Sequence, residues 1–420
     1  MGEQTESATD GNAAPIRHGR ARRLAWWKAL LKFLSILTAV VLASATAVAG
    51  ATAWQLGAEL SADAVDLSGG SDAPPPPAIG AYGGGFNILV VGVDNSSDQG
   101  DQYGKRKGTL NDMNLVLHVS ADHSSAVAVS FPRDLVIPHP RCEDPESGKS
   151  FSAMSAQPLN EAMGRGGLAC VAKTIENLTG LEIPYAATMN FNAVRQVTDA
   201  IGGVSVCLTA PLRDIYVPMD LPAGYSEISG EEALGFLRSR HGVGDGSDLS
   251  RISSQQQYMS SLVRKLKSAE TLTNISAIYG IAQVVKDNVQ LSTTLASIDT
   301  MVSMAQAFSK IDLGKVTFVQ YPTGSDARYP GKVVPQKGAS TELFDKIIAD
   351  EPFALPENST GRGSVDVSAE PTATPAPEAT PTPAETPSPT ETAAPPPPSV
   401  VDGLKGSTAA QETCAVPFGQ

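Results

Sequence analysis

Aromatic residues make up only 5% of the 420-residue chain, and charged residues only 18%. The positive sign is the scarcer one: 31 Lys+Arg stand against 44 Asp+Glu, a formal net charge of −13. That balance excludes nucleic acid as the main partner, because gripping a phosphate backbone needs a clustered positive field. Only four cysteines are present, and none forms a CxxC pair, which argues against a zinc knuckle or a thioredoxin-like site. His118, His123, His139 and His241 show no metal-ligand spacing, and no internal repeat is visible. Apolar residues, in contrast, make up 41%. A sizeable core is therefore available and wholesale disorder is excluded.

The charge is unevenly placed. Residues 1–32 carry Arg17, Arg20, Arg22, Arg23, Lys28 and Lys32 against Glu3, Glu6 and Asp10, which leaves −16 for the remainder. Directly after this basic cluster, Phe33 to Trp54 runs 22 residues without a charge. A bilayer core needs about 20 such residues in a helix. The lysine and arginine bias then makes 1–32 a cytoplasmic tail and sends everything beyond Trp54 outside the cell, with the chain held in the cell membrane by one pass. Ala43-Ser44-Ala45 resembles a signal-peptide cleavage site, but the apolar run exceeds the roughly 7–15 residues of a signal core, which favours a retained anchor. Residues 55–85, with Pro74 to Pro77 in a row, read as an extended stalk. Cys142, Cys170, Cys207 and Cys414 all fall on the oxidising side, where disulfides form. Three pairings are open. The reading favoured here joins Cys142 to Cys170, stapling a loop, and Cys207 to Cys414, tying down the tail; buried free thiols are the alternative.

A folded domain is expected over 86–345. Asn87 to Val93 (NILVVGV) is a continuous apolar run, as in a strand covered on both faces. Leu115 to Val119, Ala126 to Phe131, Tyr185 to Asn190, Val204 to Leu208 and Val316 to Tyr321 read as further strands. Helices are expected around 191–201 (closed by Gly202-Gly203), after Ser229 with Glu232 completing a capping box, over Arg251 to Lys267, and at 273–286 and 295–308. Alternating elements over about 260 residues imply an α/β or α+β domain. Between Pro371 and Pro398 there are 11 prolines in 28 residues and no basic or aromatic side chain. Residues 357–405 are accordingly expected to be a disordered Pro/Thr/Ala-rich tail, with 406–420 a cysteine-containing end segment.

Several charged residues fall at the ends of apolar elements. Asp94 closes the first strand run as GVD. Asp112 precedes the next strand in LNDMNLVL, and Arg133 and Asp134 follow the third in FPRD. Arg238 and Arg240 lie in FLRSRHG, and Asp248, Arg251 and Gln255 in GSDLSRISSQQQ. Two carboxylates with several guanidiniums suit a metal-bridged pyrophosphate. Mg²⁺ takes one or two carboxylates and completes its shell from phosphate oxygens and water. Arginines grip the other oxygens and neutralise charge on a leaving phosphate. Arg251 and Gln255, four apart, share one helical face. Arg238 and Arg240 can serve one site only if their helix ends at about Arg238. Taken singly, each arginine also reads as a surface ion pair and each aspartate as a turn residue.

In order and spacing, NILVVGVD, NDMNLVLHVS, AVAVSFPRDL, LNEAMGRGG, TIENLTGLEIPYAATMNF, VTDAIGGVSVCL, ISGEEALGFLRSRHG and GSDLSRISSQQQ resemble the LytR–CpsA–Psr family, from about Phe86 to Lys267 with an extension to Tyr321. The cysteines and the added segment are similar to an actinobacterial branch. The resemblance implies an α/β/α sandwich with a mixed central sheet whose core holds a lipid tail. It implies a phosphotransferase that moves a glycopolymer from a polyprenyl-pyrophosphate carrier to peptidoglycan at the outer face of a Gram-positive membrane. It implies Asp94 and Asp112 as ligands of Mg²⁺, with Mn²⁺ as a substitute. It also implies Arg133, Arg238, Arg240, Arg251 and Gln255 as the pyrophosphate-binding set. The base is not legible in the sequence; Asp134 and Asp248 are the candidates for it, or for groups that orient an arginine. The chain departs from the pattern at Ser96 and Ser254, where the family carries arginine, and in its Asn111-Asp112-Met113 setting; Lys105, Arg106 or Lys107 is a candidate replacement. A carrier-hydrolysing pyrophosphatase and a non-catalytic binder of polyprenyl phosphate or wall glycan are the alternative functions.

Overall fold

In the computed structural model, residues 26–67, 82–95, 108–144, 147–217, 219–268, 275–368 and 398–419 are described. The chain divides into an N-terminal unit, Met1–Gln55, and a second unit, Leu56–Gln420. In the first, a helix opens that runs Trp26–Ala62 (α1). Leu30, Leu31, Phe33, Leu34, Ile36, Leu37, Val40, Val41 and Leu42 are all about half exposed or more. The expected membrane span of 33–54 includes positions 45, 46, 48, 49 and 52–54, whose side chains lie outside the described residues. Among the described residues no helix is long and apolar enough to cross a membrane.

The second unit is built on seven strands: Phe86–Val93 (β1), Asn111–Val119 (β2), Ala126–Phe131 (β3), Tyr185–Met189 (β4), Val289–Leu291 (β5), Val316–Gln320 (β6) and Lys405–Thr408 (β7). Their order is β5-β4-β1-β2-β3-β6-β7. β1 pairs parallel with β4 and β3 with β6, whereas β2 runs antiparallel between β1 and β3. The sheet is therefore mixed, and β1, β3, β4 and β6 all point the same way.

Side chains alternate across a strand, so each face gathers its own set. Leu89, Val91, Val116, Val129 and Phe131 meet Met163–Thr179 (α2) through Leu168, Val171 and Ile175, and Lys337–Ile348 (α3) through Leu343, Phe344 and Ile347. Ile88, Val90, Leu115, Met113 and Leu117 face the other way, toward Asp248–Lys267 (α4) through Met259 and Val263 and Ile298–Ser309 (α5) through Met301, Met304 and Ala307. The expected layered α/β architecture with a mixed central sheet is thus formed. A smaller sheet packs on Gly230–Arg238 (α6) and Tyr258 of α4; in it Val204–Leu208 pairs with Gly224–Ile228 on one side and touches Thr413–Ala415 on the other.

Three expectations change. The stalk expected at 55–85 is helical to Ala62, with Leu60 buried and the Val65 N–H donating to the Leu291 carbonyl at 2.8 Å; residues 68–81 lie outside the described set. The tail expected over 357–405 begins later, because Ser364–Asp366 pairs with Thr413–Ala415. The residues before the proline run lend the sheet an edge partner, and the end segment supplies a strand to each sheet; 369–397 lie outside the described residues. Ser229 is the N-cap of α6, but its hydroxyl makes no capping bond, so the capping box is absent. Both favoured disulfides are formed, Cys142–Cys170 and Cys207–Cys414.

Candidate functional site

Because β2 opposes its neighbours, its amino end shares one edge of the sheet with the carboxyl ends of β1 and β3. Asp94, Asp112 and Arg133 gather at that edge. Asp112 does not precede β2, as expected, but is its second residue. It sits at a register shift, for Val93 pairs with Asn111 while Gly92 pairs with Met113. An extra residue in one strand re-aims its side chain, which is why bulges recur at sites. Asp94 is buried, and its Oδ1 accepts from the Leu110 N–H at 3.0 Å.

Arg133 donates from Nη1 to Asp112 Oδ1 at 2.7 Å. Asp134 Oδ2 lies 3.7 Å from Arg133 Nε, and its Oδ1 accepts from Lys332 Nζ at 2.5 Å. Asp248 opens α4 behind Ser247, which accepts from the Ser250 N–H. One Asp248 oxygen accepts from the Arg133 backbone N–H at 3.3 Å, and the other pairs with Arg251 Nη2 at 2.5 Å. Arg251 Nη2 also donates to the Asp112 carbonyl at 2.9 Å. The two candidate bases, Asp134 and Asp248, are thus both engaged with cations, which is the geometry of orienting groups.

α6 ends at Arg238, as a shared role for Arg238 and Arg240 requires. Ser239 turns extended, with φ −59° and ψ 128°, and is fully buried. The Arg238 guanidinium lies 4.4 Å from the centre of the Phe191 ring, and Arg240 lies close enough to Arg251 to oppose its charge. Gln255 directs its amide nitrogen to the Leu237 carbonyl at 3.1 Å, bracing the end of α6 against α4.

The electrostatics show a site rich in buried positive charge. Burial works against the Arg133 cation, but Asp112, then Asp134 and Asp248, hold its pKa above the usual value. Arg251 is shifted the other way: burial first, then Arg133 and Arg240, outweigh Asp248 and Asp112. Guanidinium stays protonated regardless, and a buried cation crowded by like charges is one that an anion would stabilise. The Nε–H groups of Arg133, Arg240 and Arg251 are buried with no hydrogen-bond partner among the described residues. Such groups are costly unless something accepts from them.

Among the described residues no group of three or more His, Cys, Asp and Glu could cage a metal. Asp94 and Asp112 still fit a hard divalent ion that draws its other ligands from phosphate and water. Ser96, Lys105, Arg106 and Lys107 lie outside the described residues. Ser254 is buried within α4 and donates to the Ser250 carbonyl. Lys332 was missed, because no local pattern ties it to Asp134, 198 positions earlier.

The LytR_cpsA_psr family model matches residues 42–343. The chain is 29% identical over 318 residues to the cell wall biosynthesis protein LcpA of Corynebacterium glutamicum, covering 69% of this chain and 60% of that protein. It covers 47% of the probable cell wall biosynthesis protein LcpB of the same organism, at 30% identity and 48% of this chain. The chain thus spans less than two thirds of these two curated relatives. It is 23% identical to the polyisoprenyl-teichoic acid–peptidoglycan teichoic acid transferase TagT of Bacillus subtilis, over 57% of this chain and 70% of that protein. The crystal structure of protein gbs0355 from Streptococcus agalactiae shares the fold with a TM-score of 0.52 at 20% identity, over 64% of this chain and 88% of that one. With the family model spanning well over half of its length, the chain belongs to the LytR_cpsA_psr family.

Proposed function

We propose that the protein is a membrane-anchored phosphotransferase, acting outside the cell, that moves a glycopolymer from a polyprenyl-pyrophosphate carrier to peptidoglycan. The observation that carries this reading is the gathering of Arg133, Arg240 and Arg251 at one sheet edge, where Arg240 and Arg251 each bury an Nε–H with no hydrogen-bond partner among the described residues. A pyrophosphate supplies oxygens for such donors. The named activity of TagT, a transferase of polyisoprenyl-linked teichoic acid to peptidoglycan, supports the carrier and acceptor classes. The apolar run at 33–54, led by basic residues, supports the membrane and the outward placement of the domain. Ile88, Val90, Met113 and Leu117 on the α4/α5 side of the sheet are only half-buried, which supports that side as the bed for an isoprenoid chain.

In the reaction a peptidoglycan hydroxyl oxygen forms a bond to the sugar-linked phosphorus. The bond from that phosphorus to the bridging oxygen breaks, polyprenyl phosphate leaves with the electron pair, and the hydroxyl proton passes to solvent. Arg133 and Arg251 hold the phosphate oxygens and offset the charge that builds on the leaving group. Asp112 and Asp248 fix the two guanidiniums, and Asp134 steadies Arg133 from its other side. Asp94 and Asp112 would hold Mg²⁺, or Mn²⁺ in its place, which when bound supplies charge neutralisation on the pyrophosphate.

Arg251→Ala should lower glycopolymer attachment about a hundredfold or more, with the far-ultraviolet circular dichroism of the full chain kept. Attachment at the wild-type rate in a folded variant sinks the assignment. Release of free glycopolymer phosphate at equal rates with and without peptidoglycan would instead identify a hydrolase. Chelation of divalent ions should stop turnover, and added Mg²⁺ should restore it.

A further inference from the structure

We infer that Asp214 is a positioning residue for Arg238 and Arg240, acting through Ser239; this rests on the proposed role of those arginines in binding pyrophosphate. Asp214 lies on a short hairpin in which Leu212–Asp214 pairs with Met219–Leu221. Its side chain is buried, and both of its oxygens are used. Oδ2 accepts from the Ser239 hydroxyl at 2.8 Å, and Oδ1 accepts from the Tyr216 N–H at 2.9 Å.

Ser239 is fully buried, while its two neighbours are part-exposed. Its backbone breaks from the helix there, with φ −59° and ψ 128°. Anchoring Ser239 inward fixes this break, on which the directions of Arg238 before it and Arg240 after it depend. Packing reinforces the anchor. A Cβ placed on Gly242 would lie 2.7 Å from Ser239 Oγ and 3.3 Å from Asp214 Cβ, so the chain closes onto the pair without spare room. On the far side, Gln255 holds the Leu237 carbonyl. The Arg238-Ser239-Arg240 segment is thus pinned from the hairpin below and from α4 behind. Two apolar side chains would fill the same volume, yet the pair is a carboxylate and a hydroxyl, which fixes direction as well as contact.

The test uses the full chain with Asp214→Ala, Asp214→Asn, Ser239→Ala and the double Ala variant. Two quantities are read: affinity for inorganic pyrophosphate with Mg²⁺, by calorimetry, and backbone hydrogen exchange over residues 238–242. Losing one buried hydrogen bond predicts about tenfold weaker binding for each single Ala variant. The double variant should be no weaker than either single one, because both act through one bond. Asp214→Asn should recover most of the affinity, since its amide can donate to the Ser239 oxygen. Exchange should quicken in the Ala variants alone. Additive losses, an Asn variant as weak as Ala, or unchanged exchange in Asp214→Ala would each overturn the inference. Failure of the wild type to bind pyrophosphate would instead overturn the functional reading, while the exchange measurement still decides this one.

Discussion

The two faces of the central sheet differ although the same strands supply both. On the α2/α3 side, Leu89, Val91 and Val116 are fully buried and Phe131 is 2% exposed. On the α4/α5 side, Ile88, Val90, Met113 and Leu117 stay half-buried in strands of the same hydrophobicity. One face is closed throughout; the other, the side proposed as the lipid bed, is less tightly covered at these four positions, although Leu115 on it is buried.

Neighbouring positions on β1 offer the sharpest way to break this comparison, because position 89 faces one side and 88 the other. Leu89→Ala should cost about 2–5 kcal/mol, the range for a fully buried leucine. Ile88→Ala should cost about 1 kcal/mol, since less area leaves water. Equal shifts in the denaturation midpoint would erase the distinction. Next in size, Met113→Glu should leave the fold intact but weaken binding of a prenyl pyrophosphate about tenfold or more, since a charge resists desolvation under a lipid chain. Unchanged affinity would remove the α4/α5 face as the lipid bed. A separate effect, read across pH, concerns His139, buried with neither ring nitrogen hydrogen-bonded among the described residues. Burial, and then the Arg165 guanidinium, push its pKa down to about 4 from 6.5. Between those values the unfolded chain binds a proton that the native one does not. Stability should therefore fall as pH drops from about 6.5 toward 4. His139→Phe should flatten that slope in thermal melts, and an unaltered slope would assign it to other groups.

Much of the sheet is legible from local pattern. Ala126–Phe131 and Val204–Leu208 coincide with their apolar runs, because a covered strand must be apolar along its length. The end of α6 at Arg238 follows from asking where two arginines two apart could act together. Asp112 is displaced from its expected place because a bulge is a property of pairing, and β2 alone does not show its register with β1. The strands at the chain's end are not legible for a similar reason. Lys405–Thr408 and Thr413–Ala415 are too short to signal strands, and they form only because waiting sheet edges and a disulfide hold them.

The sequence by itself determined the layered class, the acidic and arginine-bearing motifs and their order, since these follow from side-chain chemistry and periodicity along the chain. Tertiary structure alone decided that Asp248 reaches the Arg133 backbone N–H, that Lys332 meets Asp134, and that Ser239 turns inward to Asp214. Those are contacts between residues 25 to nearly 200 positions apart, and only the closing of the fold sets their distances.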